Sequence, residues 1–110
     1  MSIVPRQLVW YEVNSYVHSQ ILKTLLEMMR VDNFDSITIS RLTAKAEVGR
    51  ASFYRNYQTK EDVLRQEAER LNNELNNIRR NDDPNDYRLK LLRTLDFYKA
   101  NSDFYMTIYN

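Results

Sequence analysis

Between Ser15 and Val31 the apolar residues Val17, Ile21, Leu22, Leu25, Leu26, Met28 and Met29 recur at spacings of three and four. That period predicts an amphipathic helix. Asp32 and Asn33 close it, since Asn tolerates the left-handed conformation that often ends a helix, and Phe34 returns the chain to the core. Residues 1–14 show no period, and Pro5 discourages a helix before it. Arg6 is their only basic side chain, which argues against a DNA-gripping arm, and Trp10 and Tyr11 are expected to pack on the body.

Two short helices follow. Thr38 is the expected N-cap of the first, its hydroxyl accepting from first-turn amides, and Ile39, Leu42 and Ala46 share one face. Glu47 breaks the pattern, Val48 restores an apolar contact, and the second helix runs from Gly49 or Arg50 to Tyr57. Thr59 then caps a long helix, with Asp62 completing a capping box and Glu61 suiting the positive end of the dipole. Its stripe is Leu64, Ala68, Leu71, Leu75 and Ile78, too short for a free coiled coil, so the helix is expected to lie along its own domain. The run Asn81–Asp86 with Pro84 at its centre breaks the chain. Leu91, Leu92, Leu95 and Tyr98 mark another helix to about Ala100, and residues 101–103 cap a last one from Phe104. The pattern stops at Tyr109-Asn110 with Phe104, Tyr105, Ile108 and Tyr109 lacking a partner, which reads as a missing continuation.

Composition narrows the functional classes. The 110 residues fit one domain, and 43% apolar with 28% charged residues supports a packed core. One Gly and two Pro are few for a turn-rich β protein. The lack of Cys excludes disulfides, thiolate metal sites and Cys nucleophiles, and a single His argues against most zinc sites. No run spans a bilayer and no secretory signal opens the chain, so a cytoplasmic helical protein is expected. His18 is read as a surface residue beside Val17, and Asp82, Asp83 and Asp86 as a solvated turn. Neither supports an enzyme, and no cofactor or metal is expected.

Net charge is +1, but residues 38–60 carry Arg41, Lys45, Arg50, Arg55 and Lys60 against Glu47 alone. A basic segment in an otherwise mildly acidic chain points to local contact with an anion. Two short helices joined by a tight turn describe a helix-turn-helix. At about 100° per residue, Phe53 and Tyr57 share the core face, while Ala51, Ser52 and Arg55 fall on the far side. Arg50 stands at the exposed N-terminal end. Small residues permit close approach to a major groove, and Arg can donate two hydrogen bonds to guanine.

These pieces together resemble the DNA-binding domain of the TetR family of bacterial transcription regulators, over residues 21–64. The likeness is carried by Ile21-Leu22, Leu25-Leu26, Met29 and Asn33-Phe34, then Ile37 to Ala46, then Val48 to Tyr57, and finally Lys60-Glu61-Asp62-Val63-Leu64. The resemblance implies an all-α fold: a three-helix helix-turn-helix domain, a long linking helix and the start of a helical regulatory domain. The corresponding division is 1–14 as an N-terminal extension, 15–65 as the helix-turn-helix domain, and 66–110 as the linking helix and truncated regulatory domain.

It further implies that Thr38 and Ser40 lie near the DNA backbone and that Arg50, Ala51 and Ser52 meet base edges. Tyr54, Asn56 and Lys60 would take phosphates. Arg55, variable in the family, could read bases, and Arg41 belongs to the same DNA-binding set. Three residues depart from the pattern: Glu47 replaces the usual turn Gly, Gly49 replaces the usual Ser cap, and Asn56 stands where an aromatic or His is common. Residues 95–105 are similar to the start of the regulatory domain in a subgroup common in Firmicutes that includes activators of dihydroxyacetone utilisation. The implied partners are a near-palindromic double-stranded DNA operator, a second copy in the full-length protein, and a small-molecule or protein effector at the absent C-terminal region. No membrane partner is expected. The 110-residue chain is then expected to be mostly monomeric. The competing expectation is a helical protein–protein interaction module without DNA binding, using the Leu64–Ile78 stripe and the aromatic tail.

Overall fold

A computed structural model describes the backbone of residues 6–81 and 85–109, and the side chains of residues 15–80 and 85–109. Every regular element among the described residues is helical: α1 (Arg6–Met29), a 3₁₀ turn (Phe34–Ser36), α2 (Ile39–Ala46), α3 (Arg50–Asn56), α4 (Lys60–Asn81), α5 (Tyr87–Ala100) and α6 (Ser102–Ile108). The chain forms two compact units, Met1–Val63 and Leu64–Asn110.

In the first unit α1 supplies one wall of the core. Val17, Ile21, Leu25, Leu26 and Met28 are buried on it, and Thr24 is buried among them. The helix is longer than its apolar period indicates, beginning at Arg6 and not near Ser15. Proline restricts the residue before it, not those after, so Pro5 is no barrier to a helix that starts at the next position. The side chains of Trp10 and Tyr11, expected to pack on the body, lie outside the described residues. At its other end α1 stops at Met29, and Asn33 is extended (φ −66°, ψ 135°) where a left-handed residue was expected. The last carbonyls are instead satisfied by a tightened turn, with Arg30 N–H donating to Glu27 O at 3.3 Å and Val31 N–H to Met28 O at 3.2 Å, and Asp32 N–H also reaching Met28 O at 2.8 Å.

The two short helices complete this core with Leu42, Ala46 and Phe53, the segments flanking them add Ile37, Val48 and Tyr57, and α4 adds Val63. His18 is not the surface residue expected of it: it is partly buried, its Nδ1 hydrogen-bonds the Tyr57 hydroxyl, and the two rings meet edge to face at 5.2 Å. Thr38 caps α2 as expected, its Oγ1 accepting from Arg41 N–H at 3.1 Å. The box at α4 also forms, with Asp62 N–H donating to Thr59 Oγ1 and Thr59 N–H to Asp62 Oδ2, both at 3.2 Å.

The turn between α2 and α3 closes by a Schellman arrangement. Val48 N–H reaches Thr43 O at 3.0 Å, Glu47 N–H reaches Ala44 O at 3.3 Å, and Val48 is buried. That motif demands a left-handed residue at position 47, and Glu47 takes it with φ 57° and ψ 40°. Among the described residues it is the one non-glycine with positive φ. A side chain there costs about 1–2 kcal/mol, which glycine avoids at some cost in unfolded-chain entropy. Glu47→Gly is therefore expected to stabilise the protein by about 0.5–1 kcal/mol, seen as a raised midpoint in urea unfolding with an unchanged slope. A lowered midpoint would contradict the strain at this turn.

In the second unit Leu71, Leu75, Phe97 and Phe104 are buried. Ala68, placed in the apolar stripe by its spacing, is exposed, and Leu64 and Ile78 are only partly covered. On α5 the expected core face is the outer one: Leu91, Leu92, Leu95 and Tyr98 are 42–59% exposed. The buried residue is Phe97, about 200° around the helix from Leu95, so the packing side is set by one aromatic against a larger set of leucines. Phe104, expected to lack a partner, is only 5% exposed. Its ring lies 5.6 Å from that of Tyr105, which also approaches Tyr98 at 5.4 Å. Burial pushes the Tyr105 phenol above its ordinary range, with Tyr98, Tyr109, Glu67 and Glu74 adding to it. α6 starts two residues earlier than its pattern, at Ser102, while Asn101 turns its Nδ2 back onto Phe97 O at 2.9 Å. Asp86 is not merely solvated: it caps α5, accepting from Leu89 N–H at 3.0 Å. The centre of the predicted break, Asp82, Asp83 and Pro84, lies outside the described residues.

Candidate nucleic-acid interface

The site is built outward from α3. Phe53 and Tyr57 anchor its inner side at 0% and 4% exposure, and their rings lie 5.2 Å apart. Four positions separate them, about one turn, so both lie on one side of the helix. Arg50, Ala51, Tyr54 and Arg55 are exposed, and Ser52 and Asn56 are partly covered. Arg50 opens the helix and has no hydrogen-bond or ion-pair partner among the described residues. Gly49 precedes it as the N-cap with no side chain to accept from the first amides, which leaves those donors facing outward. Tyr54 is half exposed, its ring edge-on to Phe53 at 5.4 Å, so one end is held by the core while the hydroxyl stays wet. Asn56 donates its Nδ2 to Ser52 O at 2.9 Å.

The other expected residues are placed by α2 and α4. Thr38 and Ser40 are exposed at the N-terminal end of α2. Thr38 is occupied as a cap, and Ser40 lies one residue into the helix. Arg41 is half exposed and doubly held: its guanidinium donates to Asp32 Oδ2 at 2.8 Å and to Ser36 O at 3.2 Å. Lys60 is partly buried, with its ammonium donating to Phe34 O at 2.6 Å and Ile37 O at 2.9 Å.

The expected set therefore falls into three groups. Arg50, Ala51, Tyr54 and Arg55 are exposed on α3 with Ser52 and Asn56 beside them, Thr38 and Ser40 are exposed at the start of α2, and Arg41 and Lys60 brace the segment before α2. Sequence reasoning missed the acceptors of that brace. Asp32 looked like a helix stop, and carbonyl acceptors carry no signal in residue type.

Among the described residues no group of three His, Asp or Glu is placed to hold a metal ion. No helix among them is long and apolar enough to cross a membrane. An exposed, basic, small-residue face on a short helix seated by two aromatics can enter a major groove.

No curated protein and no solved structure matches the chain significantly. Residues 21–66 match the family model of bacterial regulatory proteins, tetR family, and that match supports a DNA-binding transcriptional regulator of the TetR type.

Proposed function

We propose that this chain carries the DNA-reading head of a cytoplasmic TetR-type regulator, with α3 lying in the major groove of an operator. The observation that carries the reading is the exposed side of α3, where Ala51, Ser52 and Arg55 point away from the Phe53–Tyr57 anchor and Arg50 stands exposed at the N-terminal end. Arg50 and Arg55 donate to base edges, Arg50 in bidentate fashion to guanine O6 and N7. Ala51 and Ser52 let the helix approach. The Tyr54 hydroxyl, the Asn56 amide, Thr38, Ser40 and Arg41 lie toward phosphates and fix the register. One such helix reads only a few base pairs, so two copies on a near-palindromic site complete the complex. Control by an effector bound outside the helix-turn-helix belongs to the same proposal. So does the likeness of residues 95–105 to the Firmicutes subgroup.

A second reading has one observation in its favour. The exposed leucines of α5, Leu91, Leu92 and Leu95, suit an apolar protein partner. Salt separates the two. Electrophoretic shift of mixed duplex DNA is expected to weaken steeply from 50 to 200 mM salt, because each phosphate contact releases condensed counterions. No shift at low salt, with salt-insensitive capture of another protein, would favour the interaction module.

A further inference from the structure

Lys60 opens α4, yet its side chain turns back onto the segment that precedes α2. Nζ donates to Phe34 O at 2.6 Å and Ile37 O at 2.9 Å, and stands 4.5 Å from the centre of the Phe34 ring. The two carbonyls bracket the 3₁₀ turn, whose own closing bond runs from Ile37 N–H to Phe34 O at 3.1 Å. The ammonium therefore locks both ends of this turn at once. Ile37 is 1% exposed and leads directly into Thr38, the cap of α2. From the α2 side, Arg41 holds the same segment through Ser36 O and Asp32. Two cations thus grip residues 32–37 from two different helices.

We propose that Lys60 is a positioning residue for DNA binding, fixing the 34–37 turn and through it the N-terminal end of α2, and not itself a phosphate contact. This rests on the DNA-binding reading above. Hydrogen bonds from a charged donor are stronger than neutral ones, and a cation over an aromatic face adds to them. Only one of the three ammonium donors is left for another acceptor. Reaching out to a phosphate would take the ammonium from both carbonyls and from the ring together.

Lys60→Met keeps the aliphatic stem and removes the donors. In the free protein, backbone amide exchange at Ile37 and Arg41 is expected to accelerate about tenfold, with the α1 amides unchanged. On duplex DNA the affinity is expected to fall about tenfold at every salt concentration, with the slope of log K against log salt unaltered. A slope reduced by about one, with exchange at Ile37 unchanged, would make Lys60 a phosphate contact and overturn the proposal. Unaltered exchange alone defeats the positioning role, whereas failure of the wild-type chain to bind DNA at low salt defeats the DNA-binding reading.

Discussion

Phe53→Ala is expected to cost about 3–5 kcal/mol of stability, the range for removing a fully buried aromatic ring. Phe53 has no exposed surface, and its ring contacts those of Tyr54 and Tyr57. Tyr57 is in turn tied to His18 on α1, so one truncation loosens the whole attachment of α3 to its neighbour. Small domains hold only about 5–15 kcal/mol in total, so the loss is a large part of what keeps the fold together. Thermal unfolding followed by circular dichroism should show a midpoint far below wild type, and DNA affinity should fall with it because α3 loses its seat. A Phe53→Ala protein that melts with the wild type but fails to bind DNA would move Phe53 from the core to the interface.

Much of the N-terminal unit was legible because local signals agreed with one another there. Thr38, Thr59 and Asp62 are capping residues in the positions where caps form, and the spacing of Phe53 and Tyr57 placed both inward. The left-handed residue at position 47 was legible for a different reason: the resemblance puts a glycine there, and the backbone keeps that demand although the side chain is Glu. Where signals conflicted, the sequence misled. On α5 three leucines outweighed one phenylalanine in the pattern, yet the packing chose Phe97, whose ring fills more space than any of them. A period does not say which of two apolar faces finds a partner.

Tertiary polar contacts were the least visible. His18 and Tyr57 are 39 positions apart, and Lys60 is 26 positions from the Phe34 carbonyl it holds. No local rule pairs residues at that distance, and a backbone acceptor is the same in every residue type. The resemblance gave Lys60 a phosphate. The geometry of the free chain gives its ammonium two carbonyls and a ring, contacts that residue type alone does not announce.

Arg50→Ala is expected to cost about 1–3 kcal/mol of binding to the preferred sequence and to relax the choice of base at one position of each half-site. Arg50 is the first residue of α3, exposed, and without a partner among the described residues, so its five donors are available to a ligand. Unlike Arg41, Arg50 has no carboxylate to release before it can reach a base. Arg50 is exposed and makes no contact among the described residues that holds the free fold, so its removal should leave the melting temperature unchanged, separating it from Phe53. The preferred duplex, selected from a randomised library by the wild-type chain, and a scrambled duplex of equal length provide the test. The ratio of their affinities should drop by about 5- to 160-fold in Arg50→Ala, nearly all of it lost on the preferred site. An Arg50→Ala protein that keeps the wild-type ratio, however weakly it binds, would show that α3 does not read sequence through Arg50.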